Sequence, residues 1–239
     1  MSIEAFDFAE KFQTPVFVMT DLDLGMNNWM SDPFPYPEKP INRGKVLTAE
    51  DLDRLGGFAR YRDVDGDGVG WRTLPGTNHP KASYFTRGSG HNEKAQYTER
   101  EDDYIDNMDR LAHKFEVMRQ HVPEPVVSTP ENARIGFVAW GTSDPAVRES
   151  CDQLKAEYGI EISYLRLRAY PFTGHLLDFI RRHDRVYVVD QNRDGQLLGL
   201  MRLELDAALI AKLRSLRYYG GLPLDARTVT DHIIREEGK

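Results

Sequence analysis

Cysteine is nearly absent from the 239 residues, and Cys151 stands alone. One thiol closes no internal disulfide, so this is not a disulfide-stapled secreted module, and a reducing cytoplasm is the expected setting. Long apolar runs are missing too. None approaches the roughly 20 residues that cross a bilayer, so no membrane partner is expected. The opening MSIEAFD has neither the basic start nor the apolar centre of a secretory leader. Positive charge is in deficit. With 31 Lys and Arg against 38 Asp and Glu, the net charge is −7, which argues against nucleic acid as the main partner. The seven histidines fall in no HExxH or other ligand spacing, so no metal site is expected. No GxSxG, P-loop or dinucleotide fingerprint is present.

What the chain has is apolar rhythm. Four apolar runs begin at Arg134, Glu161, Arg185 and Leu213, at intervals that fit one strand, one helix and two short connections per unit. Ile135, Phe137 and Val138, like Val186, Val188 and Val189, read as strands buried on both faces, the habit of a parallel sheet under helices. Helix signals lie between them. Ser143, Asp144 and Pro145 form a cap with proline in the first turn, and Val147, Cys151, Leu154 and Tyr158 follow at helical spacing. Cys151 therefore reads as a core residue, with a reactive thiol as the alternative. Thr173 caps a second helix carrying Leu176, Leu177 and Ile180. The fold class is α/β, with a parallel-sheet domain over residues 131–239.

The rest of the chain is less regular. Residues 2–12 read as a helix with Ala5, Phe6, Ala9 and Phe12 inward, stopped by Thr14 and Pro15. Residues 16–20, VFVMT, read as a short buried strand. One strand builds no sheet, so its companions are either the strands after residue 133 or other polypeptide. Residues 24–103 are broken by Pro33, Pro35, Pro37 and Pro40 and by many glycines. That is too long for an idle loop, and Trp29, Phe34, Tyr36, Phe58, Tyr61, Trp71, Tyr84 and Phe85 argue against disorder. The expectation is an ordered arm packed on a neighbouring surface. Residues 102–121 read as a long helix whose stripe of Tyr104, Met108, Leu111, Phe115 and Met118 faces a protein surface. Residues 122–130 are the linker.

Local motifs give alternatives rather than an answer. Residues 63–68, DVDGDG, carry the first half of a calcium loop, but Leu74 stands where the bidentate glutamate belongs and Pro75 where a helix should be running. An acidic turn is the plainer reading. Gly66, Asp67, Gly68 and Asn92 mimic a GDG…N signature for thiamine diphosphate and magnesium, yet no buried apolar strand precedes them. Arg87 and His91 flank a glycine-rich stretch suited either to an anion or to a plain turn. Residues 190–196, DQNRDGQ, follow a buried strand and precede a helix, the place where α/β sheets present function. Asn192 and Gln196 there read equally as an anion seat, a tight turn or a subunit contact.

Several segments together resemble the α subunit of 2-oxoacid:ferredoxin oxidoreductases, the 2-oxoglutarate type in particular. They are AFDFAEKFQTPVFVMTDLDLGMNNW at 5–29, RTLPG at 72–76, YFTRGSGH at 84–91, NMDRL at 107–111, YLRLR at 164–168, VVDQNRDGQ at 188–196 and GLPLD at 221–225. The likeness runs in order along essentially the whole chain. It implies a transketolase C-terminal-like domain at 131–239, an irregular arm, long helix and linker at 24–130, and at 1–23 the last helix and strand of a thiamine pyrimidine-binding domain. It also implies the chemistry of pyruvate metabolism's relatives: thiamine diphosphate attacks the 2-oxoacid, CO₂ leaves, electrons pass through an iron–sulfur cluster to ferredoxin, and coenzyme A takes the acyl group.

Carried over residue by residue, the resemblance stops short. The family's YPITPS-type substrate loop, its activating glutamate and its RGGPSTG-like arginine segment match nothing here. The chain is therefore expected to be a carboxyl-terminal portion of an α subunit, inactive alone and without a cofactor of its own. Thiamine diphosphate, magnesium and the cluster would be held mainly by other polypeptide, the β subunit above all. Asn27, Asn28, Trp29, Arg87, His91, Asn192 and Gln196 are the candidates for interface or site-rim roles. The rivals are a free-standing α/β module binding a small anion or nucleotide at residues 192–196, and a calcium module at residues 63–67.

Overall fold

A computed structural model describes residues 1–86 and 90–238. The elements before residue 125 are α1 (Ser2–Phe12), α2 (Leu22–Met26), α3 (Ala49–Leu55) and α4 (Glu101–Arg119). Those after it are β1 (Val126–Ser128), β2 (Ile135–Trp140), α5 (Asp144–Tyr158), β3 (Ile162–Leu167), α6 (Gly174–Arg182), β4 (Arg185–Asp190), α7 (Gln196–Glu204), α8 (Ala207–Ile210), β5 (Leu213–Arg217) and α9 (Ala226–Glu237). They divide into two compact units, Met1–Met19 with Met30–His121, and Thr20–Trp29 with Val122–Lys239.

In the second unit the five strands lie in the order β1-β3-β2-β4-β5. β2, β3, β4 and β5 are parallel, as the apolar runs predict, and each begins within a residue or so of its expected start. β1 is an addition: three residues of the expected linker pair antiparallel with β3 along the edge. Both faces are covered, which is why the strands are apolar on both sides. Phe137, Tyr187 and Val189 meet Val147 and Leu154 of α5 and Val229 and Ile233 of α9. Val138, Val186 and Val188 meet Leu176 and Ile180 of α6, Leu198 and Met201 of α7 and Leu209 of α8. Gly136 lets α6 approach, since a Cβ there would stand 2.6 Å from Cε1 of Phe179. Ser143 and Thr173 hold the N-cap positions of α5 and α6, but neither side chain caps its helix.

The first unit is built from α1, α3, α4 and loops around two small cores. Phe12, Val69 and Met118 form one with Phe8 and Val117 beside them, and Leu47, Leu52 and Ala82 form the other with Phe58 and Trp71. Of the aromatics that argued for an ordered arm, Phe58 and Trp71 pack against a core, whereas Phe34, Tyr36 and Phe85 are 90%, 92% and 78% exposed. Thr48 and Asp51 close a capping box at the start of α3. The Arg72 guanidinium and Glu10 carboxylate tie the loops to α1.

Three expectations change. Phe6 does not face inward and is 63% exposed, while Phe8 packs instead. No strand forms at residues 16–20. These residues make no backbone hydrogen bond among the described residues, and Phe17 and Met19 are 84% and 71% exposed. They join no part of the sheet, so the first of the two proposed sources of companions is removed. Finally, α4 is turned over. Of its expected inward stripe only Met118 is buried and Leu111 half-buried, while Tyr104, Met108 and Phe115 are exposed. The face it buries carries Asn107, Arg110 and Lys114.

Candidate functional site

Strand order places the mouth of the second unit. From β2 the chain steps to β3 on one side, then crosses to β4 on the other, so the carboxyl ends of β2 and β4 diverge at a topological switch point. β2 ends at Trp140 and leads through a 3₁₀ turn at Gly141–Ser143 into α5. β4 ends at Asp190 and leads through residues 191–195 into α7.

Side chains close this mouth into a hydrogen-bonded chain. Asp21, at the N-cap of α2, accepts the amide of Leu24 at 3.1 Å through one oxygen and the hydroxyl of Thr142 through the other. Gln191 donates to Ser143 Oγ at 3.2 Å and to Thr142 Oγ1 at 3.4 Å. Asp190 is 3% exposed, and its carboxylate accepts the amide of Leu197 at 2.8 Å and the indole N–H of Trp140. Burial pushes its pKa above the usual carboxylate value, against the pull of those two donors. Asn192 accepts the amide of Asp194 at 2.8 Å and so sets the turn, and Gly195 (φ +66°) completes it with a left-handed residue that favours glycine. The Arg193 guanidinium is spent on Asp194 at 2.8 Å, and Arg217 donates to the Arg193 carbonyl at 3.0 Å. Gln196 is exposed at the start of α7.

The chemistry on offer is hydrogen bonding around buried carboxylate. Cys151 is no nucleophile: it packs beside the α5–α9 core, and burial pushes its thiol up to about 12. Below the mouth, Asp144 gathers the Tyr164 hydroxyl at 2.9 Å, Arg148 at 3.0 Å and Arg166 at 3.3 Å. That network locks the start of α5 onto β3.

The candidate residues divide between the units. Asn27, Asn28 and Trp29 follow α2 in the same unit as Asn192 and Gln196, and all three are exposed. His91 lies in the first unit, its ring stacked on Tyr61 at 3.9 Å and 21°. Arg87 falls outside the described residues. The sequence reading missed Asp21 and Thr142, and it marked the stretch 190–196 without assigning a part to Asp190 or Gln191. Asp190 had a signal in its place directly after the buried run of β4, whereas Thr142 and Asp21 are 121 residues apart. The calcium reading loses its ligands. Asp63 accepts the amides of Gly66, Asp67 and Gly68, and Lys45 binds Asp65 at 2.9 Å and Asp67 at 2.7 Å. The same loop's part in a GDG…N site fails with it, because Asn92 is turned to the amides of Lys94 and Gln96.

No family model matches the chain. Among curated proteins it is 29% identical to 2-oxoacid:ferredoxin oxidoreductase 2, subunit alpha, of Aeropyrum pernix, over 84% of this chain and 31% of that protein. It is 28% identical to 2-oxoacid:ferredoxin oxidoreductase 1, subunit alpha, of the same organism, over 85% of this chain and 32% of that protein. It spans about a third of the length of these curated relatives. Among solved structures it is similar in fold to a 2-oxoglutarate:ferredoxin oxidoreductase from Magnetococcus marinus, solved with 2-oxoglutarate, coenzyme A and succinyl-CoA bound. The TM-score is 0.81 at 24% identity, over 96% of this chain and 38% of that one.

Proposed function

We propose that this chain, a relative of the α subunits of 2-oxoacid:ferredoxin oxidoreductases, serves as the carboxyl-terminal, non-catalytic part of such a subunit. The observation that carries the reading is the similarity to two α subunits over more than four-fifths of its length. The reaction is the oxidative decarboxylation of a 2-oxoacid, 2-oxoglutarate on the strength of the segments at 5–29 and 84–91, with ferredoxin and coenzyme A as co-substrates of the assembled enzyme.

The residues present do not fit an iron–sulfur cluster. A cluster held by four thiolates has one cysteine to draw on, and that half-buried thiol is held protonated by its surroundings. Among the described residues no group of three or more His, Cys, Asp or Glu is arranged to hold a metal ion. In this reading thiamine diphosphate, magnesium and the iron–sulfur cluster are held mainly by other polypeptide, and no catalytic step is routed through this chain.

Its role is assembly. Residues 131–239 are the transketolase C-terminal-like domain, 24–130 the arm, long helix and linker, and 1–23 the end of a pyrimidine-binding domain whose sheet takes up residues 16–20. The bare, unpaired VFVM run supports that placement, because β-prone residues apolar on both sides belong inside a covered sheet. Asn27, Asn28, Trp29, Arg87, His91, Asn192 and Gln196 line the interface or the rim of the active site. The working location is the cytoplasm, in keeping with a single thiol; among the described residues no helix is long and apolar enough to cross a membrane. The mouth at residues 190–196 is a poor seat for an anion, since Asp190 already takes an amide at the start of α7 and Asp21 and Asp194 stand nearby in the same unit. That weighs against the free-standing anion or nucleotide module.

Co-expression with the β subunit from the same genome tests the reading. The expected result is a stable complex, with no 2-oxoglutarate-dependent release of CO₂ by this chain alone. Turnover by the isolated chain, or failure of the two subunits to associate, would overturn it.

A further inference from the structure

The inverted helix α4 has a consequence inside the first unit. Two glycines draw the loop at residues 66–70 against neighbouring backbone. A Cβ on Gly68 (φ +75°) would stand 2.7 Å from Cβ of Lys114 and 2.8 Å from the carbonyl of Arg110, and one on Gly70 would stand 2.3 Å from the carbonyl of Arg60. The approach brings three cationic residues, Arg60, Arg110 and Lys114, into one small region. Lys114 is 5% exposed. Among the described residues it has no hydrogen bond and no carboxylate, and its ammonium meets only the ring of Phe115 at 5.3 Å. Arg110 donates through Nη1 to the Gly68 carbonyl and through Nη2 to Asn107, each at 2.7 Å, but its buried Nε has no acceptor. Arg60 donates to the Tyr84 hydroxyl at 3.2 Å. The guanidinium carbons of Arg60 and Arg110 lie 4.8 Å and 5.7 Å from the centre of the Tyr61 ring, which is itself stacked on His91.

Cations crowded together in a partly covered region favour an anion beside them. Burial first, then Arg110 and Arg60, hold the Lys114 ammonium below the ordinary lysine range; burial and Arg60 likewise pull Arg110 down. The carboxylate whose field reaches Arg110 is Asp63, and its oxygens are occupied by three backbone amides. Three positive charges against one negative leave about two in excess. A single carboxylate would neutralise one of them, whereas a phosphate group carries about −1.5 to −2 at neutral pH.

We propose that Arg60, Arg110 and Lys114 bind a phosphate-class anion, either inorganic phosphate or the phosphate of a small ester or diphosphate, beside the Tyr61–His91 stack. The free, buried Nε–H of Arg110 supplies one donor, the ammonium of Lys114, at the end of a largely covered side chain, a second, and Arg60 a half-buried one at the edge. The inference stands apart from the family reading, because every group it uses lies within one unit of this chain.

The test uses the full chain and two probes, inorganic phosphate and pyrophosphate, each against sodium chloride at matched ionic strength. Thermal melting and titration calorimetry are the readouts. The expected result is a saturable rise in Tm with either probe, absent in chloride. Tighter binding of pyrophosphate would assign the site to diphosphate-bearing ligands; equal binding would assign it to a single phosphate. Lys114→Met should abolish the rise while holding or raising Tm in chloride, and Lys114→Arg should keep it. Arg60→Gln, at a half-buried position that spares the fold, should weaken phosphate binding at least tenfold. No saturable rise in the unmodified chain, an undiminished rise in Lys114→Met, or an unchanged Kd in Arg60→Gln would each overturn the proposal.

Discussion

The hydroxyls of Ser150 and Thr230 meet at 3.0 Å between α5 and α9, both fully buried. Thr230 donates its proton to Gln153 Oε1 at 2.8 Å, so Ser150 must donate to Thr230 and the chain has a direction. Thr230→Val leaves the Ser150 hydroxyl buried without its acceptor and should cost about 1–3 kcal/mol. Ser150→Ala leaves Thr230 still bonded to Gln153 and should cost about 1 kcal/mol. The double variant removes both hydroxyls and should lie closer to the unmodified chain than the two losses added together. Urea unfolding followed by circular dichroism reads all three, and strict additivity would contradict the directed chain.

Packing at Gly136 gives a second prediction. Its missing Cβ is the space filled by the Phe179 ring, with Cε1 at 2.6 Å and Cζ at 2.8 Å from where the atom would be. Phe179 is 4% exposed and has little room to move. Gly136→Ala should therefore destabilise by about 1–3 kcal/mol, as overpacked cores do. Phe179→Leu in the Gly136→Ala background should recover part of that loss. A Gly136→Ala chain with an unaltered melting temperature would show that α6 does not rest on β2 as described.

The pH dependence of stability should carry the mark of Asp190. Burial raises its folded pKa above the unfolded value, more than its bonds from Leu197 and Trp140 lower it. A raised acid binds its proton more tightly when folded. Its contribution is complete below the unfolded value of about 3.9 and is lost as pH rises through the folded pKa. Asp190→Asn keeps an acceptor for the Leu197 amide and carries no charge. Its Tm relative to the unmodified chain should climb as pH goes from 4 to 8, and an offset that stays constant over that range would refute the assignment.

Sequence and structure agree where order is local or strongly apolar. The branched and aromatic runs of β2 and β4 announce buried parallel strands, and Pro145 marks the first turn of α5. β1 escapes notice because three residues beside prolines carry no period, and their pairing is supplied by β3. The face of α4 is misread for a related reason. Periodicity assumes that the apolar stripe finds the core, but the close approach of Gly68 buries Lys114 and half-covers Arg110 instead. At the mouth of the sheet, Asn192 was legible as a turn former after a buried strand. Its neighbours Thr142 and Asp21 were not, since only folding brings them together. Residues 16–20 show the opposite failure. Their β propensity is plain, yet propensity without a ladder partner makes no strand.

That naked stretch also bears on how the chain fares in a cell. Phe17 and Met19 lie open beside Val16 and Val18, with no proline or charge among the four. Such a segment is a template for edge-to-edge aggregation until something covers it. If other polypeptide covers this stretch, as proposed above, copies made in excess of it should be drawn off by chaperones and proteolysis, and its supply would set how much of this chain survives.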